Sequence, residues 1–380
     1  MRRILIINHA NPFAKGGGSY ATRAYMKAFA EWAGGGADIC IDAESPFVED
    51  KTIMAAKYIK VPKRSIFQRV FSIINGDIQR YSSFIENHLA YDNSDYEWAI
   101  ISGSFEGGAL VDLFHRYGIR VLTIHHNYEP EYIFDNTSTP VLKNILRFHA
   151  FKLQKKAYKN SNINLFLTNE DIRTCEIQFG ITQAMNYLIG VFEFDNIPLL
   201  PNTLKNEYPV YVITGQLNNA QGIDSIEYFL NKLLPFIPTT SKIIISGKNP
   251  SKGLISKCRK YKNIELVPNP DEMRSVISSG DIYICPTRVG GGLKLRIMDG
   301  LKMGLPVIVH KCSARGYDVY QGSPFFKSFI TPEEFRKCVE EIENMYYQHS
   351  INKGIIYRTY LKTFSYAAGL DRICSIMNKK

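Results

Sequence analysis

Short apolar runs separated by stretches of helical spacing recur along the first half of the chain. The runs are Arg3–Asn8, Asp38–Ile41, Trp98–Ser102, Val121–Ile124 and Asn164–Thr168. Runs of this length between turn residues are typical of buried β-strands. The intervening patterns predict helices at Ser19–Trp32, Gly108–Tyr117 and Val141–Lys159. Strands that alternate with helices indicate a parallel sheet, whose ligands bind beyond the carboxyl ends of the strands.

A second alternation follows a looser segment, Phe192–Pro201, which we interpret as a linker. Its predicted strands are Val210–Thr214, Lys242–Ser246, Ile264–Val267, Ile282–Cys285 and Val307–Val309, and its helices are Asp224–Leu234, Pro332–Met345 and Ile355–Ile376. The pattern predicts an α/β protein with two Rossmann-like domains and a ligand cleft between them. The predicted divisions are residues 1–192, residues 203–355 and a C-terminal helix at 356–380.

Composition agrees with two domains, because 380 residues exceed what one ordinary core holds. The chain is 45% hydrophobic and 22% charged, which is typical of a soluble globular protein. No apolar run approaches the roughly 20 residues that span a bilayer. The seven cysteines show no CxxC spacing and the start lacks a signal-peptide pattern. We therefore expect reduced thiols and a cytoplasmic location. Peripheral contact with the inner face of the plasma membrane is a further expectation, which rests on the basic stretch described next.

The net charge of +10 predicts an anionic partner: a nucleotide, a membrane surface or a nucleic acid. Basic and apolar residues interleave over Lys51–Arg80 with a single acid, Asp77. Such a stretch is typical of a segment that lies on an anionic membrane surface, and a solvated helix face is the alternative. No nucleic-acid motif accompanies the charge, so no nucleic-acid partner is expected.

Three glycines, Gly16–Gly18, precede the first predicted helix, where exposed N–H groups and the helix dipole favour anions. Gly16-x-Gly18-x-x-Ala21 also fits the dinucleotide fingerprint formally. In that fingerprint the first glycine follows the strand directly, and here several residues intervene. Nicotinamide or flavin binding and a plain glycine-rich turn are the two alternatives.

The strand Val121–Ile124 ends in His125-His126-Asn127, which predicts two imidazoles at the ligand-binding edge of the sheet. Histidine exchanges protons near neutral pH, so either ring is a candidate for catalysis. A structural role is the alternative. No nearby cysteine or third histidine completes a metal site.

The loop between strands Ile282–Cys285 and Pro306–Val309 combines glycines, cations and one carboxylate. Gly290, Gly291 and Gly292 allow a ligand close to the backbone. Lys294 and Arg296 bring cations to a diphosphate, and Asp299 offers acceptors to a ribose diol. The pattern predicts a nucleotide site, and an ordinary charged loop is the alternative.

This loop resembles the group 1, family 4 nucleotide-sugar-dependent transferases of the GT-B fold. The matching residues are Pro286-x-x-x-Gly290-Gly291-Gly292-Leu293-Lys294-Leu295-Arg296-Ile297-Met298-Asp299-Gly300-Leu301-x-x-Gly304-Leu305-Pro306, together with Gly17-Gly18, Thr123-Ile124-His125 and Thr214-Gly215. The resemblance implies transfer of a sugar to a hydroxyl of a glycan or lipid-linked glycan, in bacterial-type surface polysaccharide synthesis. It implies a retaining, metal-independent reaction with no cofactor.

The resemblance also implies roles for single residues. Asp299 would bind the donor ribose, and Lys294 and Arg296 the diphosphate. Glycines 17, 18, 215, 290, 291 and 292 would border the donor. His125 would position the transferred sugar, or act as general base if the reaction inverts. The C-terminal helix would cross back to the N-terminal domain.

The chain departs from the family pattern at four positions. Gly291 replaces the first carboxylate of a Glu-x7-Glu pair, and Asp299 shortens the second. Gln216 and Gln221 stand where an Arg and a Lys are usual. Asp-x-Asp is missing from the sequence, so a metal-bridged diphosphate is not expected. A non-catalytic GT-B-like binding protein at a membrane and a Rossmann oxidoreductase are the alternatives.

Overall fold

The computed structural model describes residues 2–8, 12–13, 17–42, 50–62, 65, 67, 82–91, 95–136, 140–194, 206–290 and 293–379. Internal contacts divide the chain into two units. Unit 1 comprises Met1–Asn196 with Ser365–Lys380, and unit 2 comprises Ile197–Phe364. Each unit contains a parallel sheet with helices, which confirms the predicted α/β class.

Unit 1 contains a seven-stranded parallel sheet of order β3-β2-β1-β4-β5-β6-β7. The strands are β1 (Ile4–Asn8), β2 (Ala37–Asp42), β3 (Ala55–Val61), β4 (Trp98–Ser102), β5 (Arg120–His125), β6 (Ile163–Phe166) and β7 (Met185–Leu188). The helices are α1 (Gly17–Trp32), α2 (Ser82–Tyr91), α3 (Ser104–Arg116), α4 (Glu129–Asn136), α5 (Pro140–Asn160) and α6 (Asn169–Phe179). Every residue of β1 and β4 is buried, as expected for central strands covered on both faces.

Strand β3 corrects part of the predicted basic stretch at Lys51–Arg80. Residues Ala55–Val61 form the edge strand of the sheet, and most of them are partly or fully exposed. Lys57 Nζ lies 3.7 Å from the buried Asp38 carboxylate, which Arg3 also contacts at 3.0 Å. Most of the stretch beyond residue 62 lies outside the described residues.

Unit 2 contains a six-stranded parallel sheet of order β10-β9-β8-β11-β12-β13. The strands are β8 (Val210–Gln216), β9 (Lys242–Lys248), β10 (Ile264–Pro268), β11 (Ile282–Cys285), β12 (Val307–His310) and β13 (Phe326–Phe329). The helices are α7 (Ala220–Tyr228), α8 (Lys252–Cys258), α9 (Met273–Ser278), α10 (Arg296–Lys302), α11 (Pro332–Tyr347) and α12 (Lys353–Phe364). The central strands β8 and β11 are parallel neighbours, and β11 leads into the predicted nucleotide loop.

Helix α7 begins earlier than the predicted Asp224 because Asn219 caps it. The Asn219 side chain accepts a hydrogen bond from Gly222 N at 2.6 Å, which satisfies one of the unpaired N–H groups of the first turn. A Cβ at Gly222 would lie 1.7 Å from Gln216 O, so the first turn packs directly on the end of β8. This packing fixes the position of Gln221.

The predicted helix Ile355–Ile376 is two helices. Ser365 interrupts the pattern by capping α13 (Tyr366–Met377), where its side chain accepts from Ala368 N at 3.2 Å. Helix α12 remains in unit 2, and α13 lies in unit 1 against α1. Trp32 Nε1 donates to Asn378 at 3.2 Å. The chain therefore enters unit 1 again at Ser365 rather than at residue 356.

No helix among the described residues is both long enough and apolar enough to cross a membrane.

Candidate functional site

Arg296 and Gly215 form the centre of the unit 2 site. Gly215 lies near the carboxyl end of β8, and Arg296 begins α10. Arg296 Nη1 donates to Thr214 O at 3.3 Å, so the guanidinium lies against the end of the strand. A Cβ at Gly215 would stand only 2.6 Å from Nη1. Glycine at this position therefore provides the space that the guanidinium occupies.

Lys294 adds a second, buried cation. Its side chain is 6% exposed, and Nζ donates to Gly290 O at 3.0 Å. Burial lowers the pKa of Lys294 because a low-dielectric environment disfavours the charged form, and the nearby Arg296 charge acts in the same direction. An anion that approaches this amine would offset the cost of its burial. The pair therefore has the electrostatic character of a diphosphate site.

Gln221 joins the loop after β11 to Arg296. Its Nε2 donates to Val289 O at 2.6 Å, and its Oε1 accepts from Arg296 Nη2 at 3.5 Å. Gly290 has a positive φ of 85°, and a Cβ there would lie 2.1 Å from Gln221 Nε2. The sequence identified Gln221 only as a missing cation. In the structure the neutral amide donates to one partner and accepts from Arg296, whereas a lysine has no acceptor and would place a further cation beside Arg296 and Lys294.

Asp299 lies on α10 with 37% of its side chain exposed. Its Oδ1 is 3.2 Å from Lys302 Nζ, one turn further along the helix. Its role toward a ribose stays a prediction. Gly291 and Gly292 lie outside the described residues.

Sequence reasoning missed the loop after β12. Cys312 Sγ lies 3.6 Å from Gly290 O, and Tyr317 Oη donates to Lys294 O at 2.8 Å. The charge of Arg315 contributes to lowering the pKa of Lys294, after burial and Arg296. Because β12 is the parallel neighbour of β11, the residues that follow it emerge at the same edge of the sheet. The prediction that β11 and β12 are neighbouring parallel strands could therefore have drawn attention to the residues after β12.

In unit 1, Gly17 and Gly18 begin α1. A Cβ at Gly18 would meet no atom within 4 Å, so packing does not require glycine there. Ser19, the predicted start of the helix, lies within its first turn. The donor contact assigned to Gly17 and Gly18 stays a prediction.

His125 ends β5 at the carboxyl edge of the sheet, where it was predicted, but its side chain lies in the core. Its role toward the transferred sugar stays a prediction. Its side chain is fully buried, with Nδ1 3.0 Å from Ser104 Oγ and Nε2 3.0 Å from Asn164 Oδ1. The ring stacks on Phe166, its partner in the β5–β6 register, with centroids 4.7 Å apart. Burial lowers the pKa of His125 to about 4, although the bond to Asn164 acts in the opposite direction. Strand β5 continues through His125, one residue beyond the predicted end, and its pleat directs the ring inward.

The next imidazole, His126, is only partly buried. Its Nε2 lies 2.8 Å from Ser102 Oγ, and its ring lies beside Tyr25, with centroids 6.2 Å apart. Of the two histidines that the sequence singled out, His126 is therefore the one that a small molecule can reach. In the part of the chain that the structure describes, no three His, Cys, Asp or Glu side chains are grouped as a metal site.

The sequence model of the family Glycosyl transferases group 1 matches residues 208–345. The match lies entirely within unit 2 and includes the Gly215, Lys294 and Arg296 cluster. Residues 208–345 of unit 2 are therefore similar to a group 1 glycosyltransferase domain. No curated protein sequence matches the chain.

Solved glycosyltransferases share the fold of the whole chain. Sucrose-phosphate synthase from Thermosynechococcus elongatus has a TM-score of 0.70 at 12% identity, covering 100% of this chain and 99% of its own. Anabaena HepE in complex with UDP has a TM-score of 0.69 at 10% identity, with both chains covered completely. The lipopolysaccharide outer core galactosyltransferase WaaB has a TM-score of 0.66 at 10% identity and the same coverage. The fold is GT-B, and with the family match this confirms the predicted enzyme class, a glycosyltransferase.

We expect unit 1 of this glycosyltransferase to lose stability as the pH falls from 7 to 5. The folded pKa of His125 is about 4, and the unfolded value is about 6.5, so the unfolded chain binds the proton first. Stability is present above the unfolded pKa and falls toward the folded pKa by about 1.4 kcal/mol per pH unit. The expected loss between pH 7 and pH 5 is about 2 kcal/mol.

Urea unfolding followed by tryptophan fluorescence measures this loss, because both tryptophans, Trp32 and Trp98, are buried in unit 1. A His125→Gln variant is expected to be less stable at pH 7 but to show a flatter dependence on pH. An unchanged dependence in that variant would contradict the assignment of the effect to His125.

We expect Lys294→Ala and Arg296→Ala each to weaken binding of a nucleoside diphosphate about tenfold or more. Charge-assisted hydrogen bonds contribute about 1.5–3 kcal/mol each, and here both cations are oriented by carbonyl oxygens. Titration calorimetry with UDP measures the change. Lys252→Ala on α8, an exposed lysine, is the control. An effect below about threefold would remove these residues from the site.

We expect Gly215→Ala to reduce diphosphate affinity with little change in stability. The new methyl would displace the end of the flexible Arg296 side chain, not backbone. Gly247→Ala, whose methyl would lie 1.8 Å from Gly215 O, should instead destabilise unit 2. Gly253→Ala, with no atom closer than 3.8 Å, is the neutral control. Calorimetric binding and thermal unfolding separate the three outcomes, and a Gly215→Ala variant that binds UDP normally would contradict the expectation.

Proposed function

We propose that this glycosyltransferase moves a sugar from a nucleoside-diphosphate sugar to a hydroxyl of a glycan or lipid-linked glycan. The observation that carries the proposal is the pair Lys294 and Arg296, held beside Gly215 and Gly290 at the carboxyl ends of β8 and β11. The family match of this domain supports a nucleotide-sugar donor. HepE, which shares the fold, has been solved with UDP and with UDP-glucose.

The two cations would act on the leaving group. When the bond between the anomeric carbon and the diphosphate oxygen breaks, negative charge develops on the diphosphate. Lys294 and Arg296 are oriented before that charge appears, so little reorganisation is needed. The burial of Lys294 strengthens the effect because water screens a buried charge weakly. These residues would therefore stabilise the transition state more than the ground state.

We propose a retaining reaction, in which an oxygen of the departing diphosphate takes the proton of the acceptor hydroxyl. The family resemblance supports this outcome. In the inverting alternative His125 is the general base, but both its ring nitrogens are engaged by Ser104 and Asn164. His126 is instead the imidazole that we propose to orient a substrate in unit 1, since it is partly exposed and held by Ser102.

We propose that the reaction requires neither a metal ion nor a cofactor. In a metal-dependent transferase a divalent cation neutralises the diphosphate. Here two side-chain cations stand next to the glycines that would admit the phosphates, and the sequence offers no Asp-x-Asp to hold a metal.

We propose a surface polysaccharide precursor as the acceptor, at the inner face of the plasma membrane. WaaB is described as a lipopolysaccharide outer core galactosyltransferase, and WaaG as a glycosyltransferase involved in lipopolysaccharide biosynthesis. The net charge of +10 favours an acceptor that carries phosphate or another anion.

A donor screen tests the proposal. Purified protein is incubated with UDP- and GDP-linked sugars and a lipid-linked glycan acceptor, and nucleoside diphosphate release is measured with and without EDTA. We expect release with at least one donor, unchanged by EDTA, and a decrease of tenfold or more in kcat for Lys294→Ala and Arg296→Ala. His126→Ala should lower kcat while the unfolding midpoint of unit 1 stays constant.

The outcomes separate the alternatives. Binding of UDP without turnover of any donor would indicate a binding protein. Loss of activity in EDTA that added Mg²⁺ restores would refute metal independence. The anomeric configuration of the product, read from its NMR coupling constant, decides between retention and inversion.

A further inference from the structure

Helices α4 and α5 of unit 1 present large apolar side chains to solvent. Tyr132 and Phe134 on α4 are 43% and 40% exposed, and Phe148 on α5 is 59% exposed. Leu142 and Ile145 on α5 are 37% and 42% exposed. Single exposed apolar residues are common, but Phe134, which lies against Lys143 and Arg147 of α5, forms a patch with Leu142, Ile145 and Phe148 that calls for an explanation. We refer to these four residues, with Lys152 and Lys155, as the α4–α5 face.

These side chains are not needed for the core of unit 1, because α5 packs against the core with its opposite side. Residues Ala150, Gln154, Ala157 and Tyr158 recur at helical spacing and are buried. A Cβ at Gly108 on α3 would lie 2.0 Å from Leu153 O, so α5 packs on α3 at very close range. Ile145, Phe148, Lys152 and Lys155 follow the same spacing on the outer side. Their exposure is therefore set by the packing of the helix.

The charge of α5 is of a single sign. Its basic residues are Lys143, Arg147, Lys152, Lys155, Lys156 and Lys159, and the helix contains no Asp or Glu. Lys156 pairs with Asp112 at 2.6 Å, and Lys159 donates to backbone carbonyls. Lys152 and Lys155 are exposed on the outer side of the helix. Glu131 is the exposed acid of α4 whose side chain the structure describes.

Cations and rings are interleaved on this surface. Lys143 Nζ lies 3.4 Å from the centroid of the Phe134 ring, and the Arg147 guanidinium lies 5.1 Å from it. Lys152 Nζ lies 5.4 Å from the Phe148 centroid. Long basic side chains of this kind keep their stems on apolar surface while the charged ends reach outward. The surface therefore has an apolar centre surrounded by the charged ends of lysine and arginine side chains.

We propose that the α4–α5 face docks on an anionic lipid bilayer. The rings and the aliphatic side chains would enter the boundary between headgroups and acyl chains, and the lysines would contact lipid phosphates. Leu142 and Ile145 make no favourable contact with the phosphates of a nucleic acid, whereas both would be buried favourably in the apolar part of a bilayer. A helix without acids suits a continuous negative surface better than a protein partner of mixed charge. The inference does not depend on the proposed reaction.

This surface differs from the one predicted from the sequence, which was Lys51–Arg80. In the structure Ala55–Val61 is an edge strand, and Lys57 is engaged with the buried Asp38. Lys51 and Lys60 are exposed there and provide a direct comparison.

Vesicle co-sedimentation with the full chain tests the proposal. We expect binding to vesicles of phosphatidylglycerol and phosphatidylcholine, and weak binding to phosphatidylcholine alone. Lys152→Glu/Lys155→Glu should lower the partition coefficient at least tenfold, and Ile145→Ser/Phe148→Ser at least fivefold. The matched controls lie in unit 2: Lys252→Glu/Lys260→Glu for charge and Val319→Ser/Ile330→Ser for exposed apolar residues. Each control should change binding less than twofold, and thermal unfolding verifies that every variant is folded.

A fluorescence experiment reports insertion directly. In Phe148→Trp the new indole should shift its emission to shorter wavelength when anionic vesicles are added. The native Trp32 and Trp98 are buried and give a constant background.

Three results would overturn the proposal. In the first, Lys51→Glu/Lys60→Glu abolishes vesicle binding while the α5 variants bind normally. In the second, Phe148→Trp shows no shift and Ile145→Ser/Phe148→Ser binds normally, which leaves only nonspecific charge attraction. In the third, the parent protein does not bind vesicles and the α5 variants dissociate a dimer, which assigns the face to a second copy of the chain.

Discussion

The site in unit 2 depends on the missing side chain at Gly215. Because no Cβ occupies that space, the Arg296 guanidinium can lie against the end of β8 and donate to Thr214 O. A second glycine, Gly290, allows the amide of Gln221 to reach the neighbouring loop. Glycine at these two positions thus permits the contact of Arg296 with Thr214 O and that of Gln221 with Val289 O. Together with the hydrogen bond from Arg296 to Gln221, these contacts orient the guanidinium. The Arg296 guanidinium can occupy its position only because the residue at 215 has no side chain.

The neutral residue at Gln221 changes how the charges are arranged. With a glutamine there, the cluster consists of Arg296 and the buried Lys294, and the glutamine accepts from the arginine. Two cations close together at low dielectric repel one another, and a third would add to that cost. Where the family pattern has a cation, Gln221 therefore adds a hydrogen-bond acceptor for Arg296 and no charge.

Sequence patterns predicted the central strands and the edge strand β10, and missed the edge strands β3, β7 and β13. β1 and β4 are apolar throughout because both their faces are covered, so their runs are unmistakable. β3 and β13 mix exposed and buried positions, and β7 has exposed and partly buried positions only, so none of the three shows a continuous apolar run. The sequence singled out the loop after β11 because its glycines and cations are close in sequence. The roles of Gln221 and Tyr317 depend on contacts between distant segments, which no local pattern contains. The burial of His125 likewise depends on Ser104, Asn164 and Phe166, which come from other elements.

The Ser365 cap has a consequence for the order in which the chain acquires structure. In the sequence, all of unit 2 comes between the two segments that form unit 1. The second segment contacts the first through Arg372 of α13, which donates to Ile189 O, and through Asn378, which follows α13 and accepts from Trp32. A Cβ at Gly369 would lie 2.1 Å from the Phe192 ring, so α13 also fills space beside that ring. During synthesis, unit 2 emerges from the ribosome complete while unit 1 still lacks a packed helix. Unit 1, whose first segment is synthesised first, is therefore the last of the two units to complete its folding.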